Sequence, residues 1–530
     1  MDCNCQRISY QDTGAFSRIV TNYVARDTRL KPFYVHDVSE EGLRAAIENR
    51  SAKKVDRELL VKELRHQYKG IDDYDNVIEK LLSPDCFTIT TAHQPNILTG
   101  PLYFIYKIVH AITLARHCKQ LFPDKDFVPV YYMGSEDADL DELGHIYVDQ
   151  KKYDWKTSQK GAVGRMILDK DFMRIINELY NQLAVLPNGN EIMDLVKNCY
   201  AEGTKVQDAT FRFVHELFRK DGLLVLIPDS AGYKSSVADL FKDDLFNQKA
   251  SGIIQTTIEG IDKAGFKVQA NPREINLFYL EDGMRERIVK SGDQFEVLNT
   301  DKKFTESELL SELDNHPERF SPNVILRGIF QETILPNIAF IGGGGELAYW
   351  LQYGELFRHY NVPLPVLILR NSFLITDQRS SQKIERLGLK LSDFFMSEER
   401  VYARFVTMQS ERKIKLNGSL EKINELYSNL RLQAQSVDQT LSRHVDALRT
   451  KAVDRLIELE KKMLRAEKKR FITQQRQISE IRSKLFPSGK LQERHDNVLY
   501  YLSKYGTAFI DLIRENSPSL DQEFVVIEIR

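Results

Sequence analysis

Two polar loops, each following an apolar strand-like run, hold the residues best suited to chemistry. The first is His93-Gln94-Pro95-Asn96-Ile97-Leu98-Thr99-Gly100-Pro101, with Tyr103 and Lys107 just beyond. His93 can donate to phosphate oxygens, Lys107 adds charge, and Gly100 lets backbone approach a ligand closely. A helix opening at Gly100 presents free N–H groups and a positive dipole end to an anion. The second loop, Ser135-Glu136-Asp137-Ala138-Asp139-Leu140-Asp141-Glu142-Leu143-Gly144-His145, carries carboxylates able to hold an ammonium, sugar hydroxyls or Mg²⁺. Acidic residues also suit the start of a helix, which is the structural alternative. A third stretch, Gly342–Gly345 before Glu346, Tyr349 and Trp350, suggests close backbone approach to a ligand or to a neighbouring element. Its order is not G-x-G-x-x-G, so no dinucleotide fingerprint is assigned. His93, Asp137, Asp139 and His145 offer metal donors, but no H-x-x-x-H or C-x-x-C spacing accompanies them, and no metal is assigned.

These loops need a frame. Phe87–Thr91 is a β-branched run. Leu102, Ile105, Ile108, Val109, Ile112 and Ala115 lie on one broad helical face, with Thr99 placed to cap and Pro101 in the first turn. Phe127–Met133 is a continuous apolar strand. Strand, helix, strand predicts a parallel sheet. Open parallel sheets bind ligands beyond the carboxyl ends of their strands, where both loops fall. Leu223–Ile227 and Pro363–Leu369 read as further core strands. Asn276–Tyr279, Glu286–Val289 and Phe295–Leu298 suggest a small antiparallel piece.

The expected organisation is as follows: 1–85 a helical part packing on the core; 86–150 the first part of the core; 151–218 a helical insertion; 219–239 a core strand; 240–320 a second insertion. Core resumes over 321–395, a helical arm occupies 396–490, and 491–530 returns to the core. No proline interrupts Leu420–Leu485, and apolar residues recur at steps of three and four. Val437, Leu448 and Leu459 repeat every 11 residues, which predicts a straight or slightly right-handed seam. One helix cannot bury such a stripe alone. It packs on a second helix of the chain, on a second subunit, or on both.

Composition sets the outer limits. A chain of 530 residues exceeds one ordinary core. A net charge of -2 leaves no basic footprint for nucleic acid. No apolar run is long enough to span a bilayer and no secretory signal opens the sequence, so the cytoplasm is the expected compartment. Five cysteines imply no disulfide framework. Cys3 and Cys5 form a C-x-C pair, expected as thiols in a mobile terminus.

Taken in order, these blocks resemble the cysteine-adding ligases of bacillithiol biosynthesis. The resemblance rests on His93-Gln94-Pro95 with Thr99-Gly100-Pro101-Leu102-Tyr103 and Lys107, and on Val128-Pro129-Val130 with Ser135-Glu136-Asp137 and Asp139. It continues through Ser321–Arg327, Leu335-Pro336, Gly342-Gly343 and Glu346–Trp350 to Leu485-Phe486-Pro487 and Gly489–Arg494. The sequence departs from the pattern at Ala138 and Gly144, and only His93 remains of an H-x-G-H signature. The resemblance implies an α/β fold: a Rossmann-like nucleotidyltransferase-type core with connective insertions and a long coiled-coil arm that makes a homodimer. It implies joining of cysteine to the amino group of glucosaminyl-malate, with ATP or another nucleotide as activator. On that reading His93, Asp137 and Asp139 are catalytic. Gln94, Gly100, Tyr103, Lys107, Ser135, Glu136, His145, Asn323, Arg327, Gly343, Glu346 and Tyr349 bind nucleotide or substrate. A non-catalytic dimeric protein binding a nucleotide or thiol is the alternative from another class.

Overall fold

Five short apolar runs become the strands of one parallel sheet: β1 (Cys86–His93), β2 (Asp126–Met133), β3 (Leu224–Leu226), β4 (Asn337–Gly342) and β5 (Val366–Leu369). Their order is β5-β4-β1-β2-β3, and all four pairings are parallel. Thr90 of β1 lies opposite Phe340 of β4 on one side and Val130 of β2 on the other. From β1 the chain winds outward to β2 and β3, then returns to β4 and β5. The carboxyl ends of β1 and β4 therefore flank the crevice where the winding reverses, the usual ligand position of doubly wound sheets.

This is a computed structural model that describes residues 1–71, 74–267, 272–410 and 416–530. It comprises two units, Met1–Leu374 with Gln492–Ile527, and Ile375–Leu491 with Glu528–Arg530. The first holds the sheet. Its core joins Phe87, Ile89, Ile338, Ile341, Val366 and Ile368 of the strands to Leu43 and Ile47 from the amino-terminal part and to Leu114 and Cys118 of helix α1 (Tyr103–Leu121). Residues Gln67, Tyr68 and Tyr74 occupy the exposed edge of β3. Gln67 donates to the Val225 carbonyl at 2.8 Å and accepts from the Ile227 N–H at 2.9 Å, and the Tyr68 hydroxyl accepts from the Val225 N–H at 2.7 Å. The edge is thereby blocked against pairing with another chain.

Several expectations change. The helix after β1 starts at Tyr103, not Gly100, and Thr99 does not cap it. Leu98 and Thr99 take positive φ values of 48° and 70°, so the loop turns sharply before the helix begins. The buried Asn497 side chain holds that turn, donating to the carbonyls of Leu98 (2.8 Å) and Gly100 (2.6 Å). Cys3–Ser9 is a strand beside Glu523–Ile529 instead of a loose terminus. Phe320–Pro322 pairs antiparallel with Leu277–Glu281, so Ser321 belongs to the second insertion's sheet and the core resumes only at β4. His145–Val148 and Lys151–Asp154 form a hairpin that the sequence reading passed over.

In the second unit the arm is not one helix. Between α4 (Asn417–Val437) and α5 (Leu441–Lys468) the chain turns at Asp438, whose carboxylate accepts from the Thr440 N–H and hydroxyl, both at 2.7 Å. Such side-chain bonds offer the backbone an alternative to the helix. The two helices pack as a hairpin, with Arg431 paired to Asp446 at 3.6 Å. Val437 ends the first helix while Leu448 and Leu459 lie on the second, so the 11-residue repeat crosses the break and describes no single seam. Among the described residues, no helix is long and apolar enough to cross a membrane.

Beneath the sheet runs a buried polar chain. Thr90 donates to Asn337 at 2.8 Å, and Asn337 donates to Glu332 at 2.9 Å. Glu332, in helix α2 (Val324–Ile334), also accepts from Gln331 at 2.8 Å. Burial, only partly offset by these donors, pushes its pKa up to about 7. A carboxyl whose folded pKa is raised binds its proton more tightly when folded, so its contribution falls as pH rises from the ordinary value through 7. Glu332→Gln should therefore stabilise the protein more at pH 8 than at pH 5, by about 2 kcal/mol in urea denaturation. An equal effect at both pH values would show that Glu332 does not hold a proton in the fold.

Candidate functional site

At the switch point the ends of β1, β2, β4 and β5 open into a cavity of about 580 Å³. The cavity is assembled from four loops and from the second insertion. β1 supplies His93 and Gln94, and α1 adds Tyr103 and Lys107. Asp137 follows β2, Gly343, Glu346 and Tyr349 follow β4, and Arg370 follows β5. Asn323 and Arg327 come from the start of α2, and Arg285 and Phe278 from the insertion's sheet.

Lys107 joins the two sides of the crevice. Its ammonium is buried, donates to the Ala92 carbonyl at 2.7 Å and pairs with Glu346 at 2.5 Å. Glu346 in turn accepts from the Gly343 N–H at 2.7 Å, at the start of helix α3 (Gly344–Trp350). Burial lowers the Lys107 pKa, and Glu346 opposes that shift. The glycine run is explained by packing on both sides. A Cβ on Gly342 would stand 2.8 Å from the Phe340 ring, and one on Gly344 3.3 Å from Val20. Gly343 and Gly345 face the cavity.

Asp137 and Arg327 engage each other in a two-pronged ion pair, one prong being 2.8 Å. Burial alone would raise the Asp137 pKa, but Arg327 outweighs it and leaves the carboxyl below its usual value. Arg327 is likewise held above the ordinary value by Asp137, against its own burial. Neither is a free acid, base or anion receptor. Arg285 stacks on Phe278, its guanidinium carbon 4.0 Å from the ring centre, and donates to the Ser321 hydroxyl at 3.0 Å. Burial and Arg327 pull its pKa down to about 10, so it stays charged at neutral pH.

His93 lies between the Tyr103 and Phe104 rings, each centre 5.2 Å away. Burial, then Lys107 and Arg370, depress its pKa well below 6.5. It is therefore a neutral imidazole at pH 7, with one nitrogen donating and the other accepting. Its Nε2 is buried with no partner among the described residues.

Other expected residues have different work. Asn323 caps α2, accepting from Ile325 N–H at 2.8 Å, and donates to Asn276 at 2.9 Å. Glu136 lies in a buried network with Lys234, which also reaches Asp229 at 3.0 Å and the Glu318 carbonyl at 2.9 Å. Ser135 is buried, and its carbonyl accepts from the Gly164 N–H at 3.0 Å. Gly100 packs on Asn96 away from the cavity, and its N–H is bound to the Ile97 carbonyl. His145 bonds to the Asp141 carbonyl at 2.9 Å outside the cavity. Asp139 is exposed and caps the short helix Leu140–Leu143 by accepting from the Glu142 N–H at 3.1 Å.

Glu142, Arg285, Arg370 and Arg494 were missed. Asp139 and Glu142 stand three apart, a helix-start spacing that turns Glu142 toward the rim. Partial desolvation, then Asp139 and Asp137, raise the Glu142 pKa. Arg285 lies in an insertion strand and Arg370 follows β5, neither within a motif, while Arg494 ends the Gly489–Arg494 block but was not read as a site residue. Among the described residues no cluster of three or more His, Cys, Asp or Glu side chains could hold a metal.

A parallel sheet wound in this order, with a charged cavity at its switch point, defines a Rossmann-like α/β protein; the second unit adds a helical coiled-coil domain. The models for the bacillithiol biosynthesis BshC N-terminal Rossmann-like domain and C-terminal coiled-coil domain match residues 1–371 and 373–529. A relative from Cytophaga hutchinsonii is 37% identical over 500 residues, covering 94% of each chain. One from Flavobacterium johnsoniae is 35% identical, covering 98% of this chain and 99% of its own. One from Salinibacter ruber is 31% identical, covering 94% of each. All three are named "Putative cysteine ligase BshC". The chain belongs to the BshC family of bacillithiol biosynthesis.

The Lys107–Glu346 pair can be tested as a coupling. Lys107→Met and Glu346→Gln should each destabilise the protein, because each leaves one charge unanswered. Together they should cost less than the sum by at least about 1 kcal/mol in urea denaturation. Strict additivity would mean that the two groups do not depend on each other.

Proposed function

We propose that this protein is a ligase that forms an amide bond between the carboxyl group of cysteine and the amino group of glucosaminyl-malate. The observation that carries the reading is the full-length relation to proteins named as cysteine ligases, together with the switch-point cavity. Its charge balance supports an anionic acceptor. Lys107, Arg327 and Arg370 each have an acid partner, at Glu346, Asp137 and Glu493. Arg285 lies 4.0 Å from Asp137, which Arg327 already engages, so their combined charge stays positive; with Arg494, which also lines the cavity, Arg285 suits the malate carboxylates.

An amide does not form from a free carboxylate at neutral pH, and ATP or another nucleotide supplies the activation. Neutral His93 and the surplus arginines fit phosphate oxygens by hydrogen bonding and charge. They take over the role first given to the turn at Gly100. As the amine attacks the activated carbonyl, it must lose a proton, and the phosphate-bearing group that activated the carboxyl departs with the C–O electron pair. Glu142, at the rim with a raised pKa, serves as the acceptor for that proton, and His93 donates to the oxygen that gains charge. Asp137 fixes Arg327 and so positions the site without touching the reacting atoms.

The second unit gives the homodimer. Leu426, Leu430, Val437, Leu448 and Leu459 remain exposed on the hairpin at between 40% and 82%, and no residue of α4 is buried. A stripe left open after two helices have packed suits a second copy of the same hairpin.

Deleting the gene in its host and profiling low-molecular-weight thiols by mass spectrometry tests the activity. The expected result is loss of the cysteinyl sugar thiol with accumulation of glucosaminyl-malate; an unchanged thiol pool would refute the assignment. In complementation, His93→Ala and Glu142→Gln should reduce the thiol at least tenfold, while Asp139→Asn should leave it within about twofold. Ligand binding without product under any nucleotide would favour the non-catalytic reading, which gains from the absence of a free carboxylate at Asp137. Leu430→Lys with Leu459→Lys should convert a dimer to a monomer in light scattering; a dimer that survives both would place the interface elsewhere.

A further inference from the structure

Outside the cavity, the thiols of Cys3 and Cys5 meet on one face of the strand Cys3–Ser9, as residues two apart on a strand do. Their sulfurs are 3.7 Å apart. Cys3 is part-exposed and Cys5 exposed, whereas Cys86, Cys118 and Cys199 are buried. One amide serves both thiols in opposite senses. The Cys5 S–H donates to the Asn516 side-chain carbonyl at 2.9 Å, and the Asn516 NH₂ donates to the Cys3 sulfur at 3.9 Å. The Asn516 amide presents its donor to one sulfur and its acceptor to the other. The pair is thus made unequal by its surroundings. Partial burial, and then the Cys3 sulfur beside it, holds the Cys5 thiol up at about 12.

We propose that Cys3 and Cys5 form a thiol–disulfide exchange site for low-molecular-weight disulfides, in which Cys3 attacks and Cys5 resolves. The Cys3 thiolate attacks one sulfur of the small disulfide, forming a mixed disulfide and releasing one thiolate. Cys5 then gives up its proton and attacks the Cys3 sulfur, forming the intramolecular disulfide and releasing the second thiolate. Both released thiolates take up protons. The protein loses two electrons and two hydrogens, and one small disulfide becomes two thiols. The strand lies at the end of its sheet, with Glu523–Ile529 on one side only, and can adjust as the sulfurs close from contact to bond length. The substrate class is a low-molecular-weight disulfide, small enough to reach a surface pair.

The test uses the reduced full-length protein and cystine, with intact-mass and peptide mass spectrometry. Expected is a product lighter by two hydrogens, carrying no adduct, with the bond between Cys3 and Cys5. Cys5→Ser should trap one cysteine on Cys3, and Cys3→Ser should leave Cys5 unmodified over the same interval. Asn516→Ala should slow the first step roughly three- to tenfold, the effect of one hydrogen bond to a charged atom tempered by the thiol's changed nucleophilicity. Each variant's melting temperature, compared with the parent, separates a lost reaction from a lost fold. A persistent adduct in the parent protein, faster modification at Cys5 than at Cys3, or no reaction at either would overturn the proposal.

Discussion

One buried ion pair closes the first unit. Arg370, at the end of β5, meets Glu493, on the segment that returns after the arm. Their two bonds measure 2.9 and 2.6 Å, and both side chains are almost wholly excluded from water. Desolvating two charges costs several kcal/mol each, and further hydrogen bonds to both groups help to offset it. Arg370 also donates to the Asn371 carbonyl and the Ser372 hydroxyl, and Glu493 accepts from the Phe373 N–H. The Arg370 backbone is held as well, its N–H by the Gly342 carbonyl and its carbonyl by the Tyr10 hydroxyl. Beginning, middle and end of the chain are thus tied at the mouth of the sheet.

That tie explains why the cavity is preorganised. The returning segment that carries Glu493 also carries Asn497, which holds the turn before α1, and Arg494, which lines the rim. The turn in turn sets where α1 begins, and so where Lys107 reaches across to Glu346. A loop that would otherwise sample many conformations is fixed by a residue about four hundred positions away. The positive surplus and the neutral imidazole result from this packing: Lys107 and Arg370 help to strip the proton from His93.

The site and the thiol pair rest on one physical idea used twice. In each, two groups of the same type are made different by their neighbours. At the cavity, Asp137 is committed to Arg327 while Glu142 is left at the rim with a raised pKa. At the amino-terminal strand, one amide donates to the Cys3 sulfur and accepts from the Cys5 thiol.

The apolar runs of β1, β2, β3 and β5 and the helical face of α1 were decided by the sequence, because periodicity and burial are local properties. So was the position of two loops beyond the strand ends, which follows from parallel order. The family relation was legible too, from blocks kept in order. Pairing was not. Asp137 and Arg327 each suited a ligand by type, and only the fold showed that they satisfy each other. Asp139 and Gly100 suited chemistry by motif, yet a cap and a turn consumed them. Arg285 came from an insertion with no spacing to mark it, and Arg494 ends the Gly489–Arg494 block yet faces the cavity only because that segment returns there. The hairpin at His145–Asp154 turns through Asp149 and Gln150 at positive φ without a glycine, so the usual turn signal was missing. Which polar groups remain available for chemistry depends on long-range partners, and only tertiary structure brings those partners together.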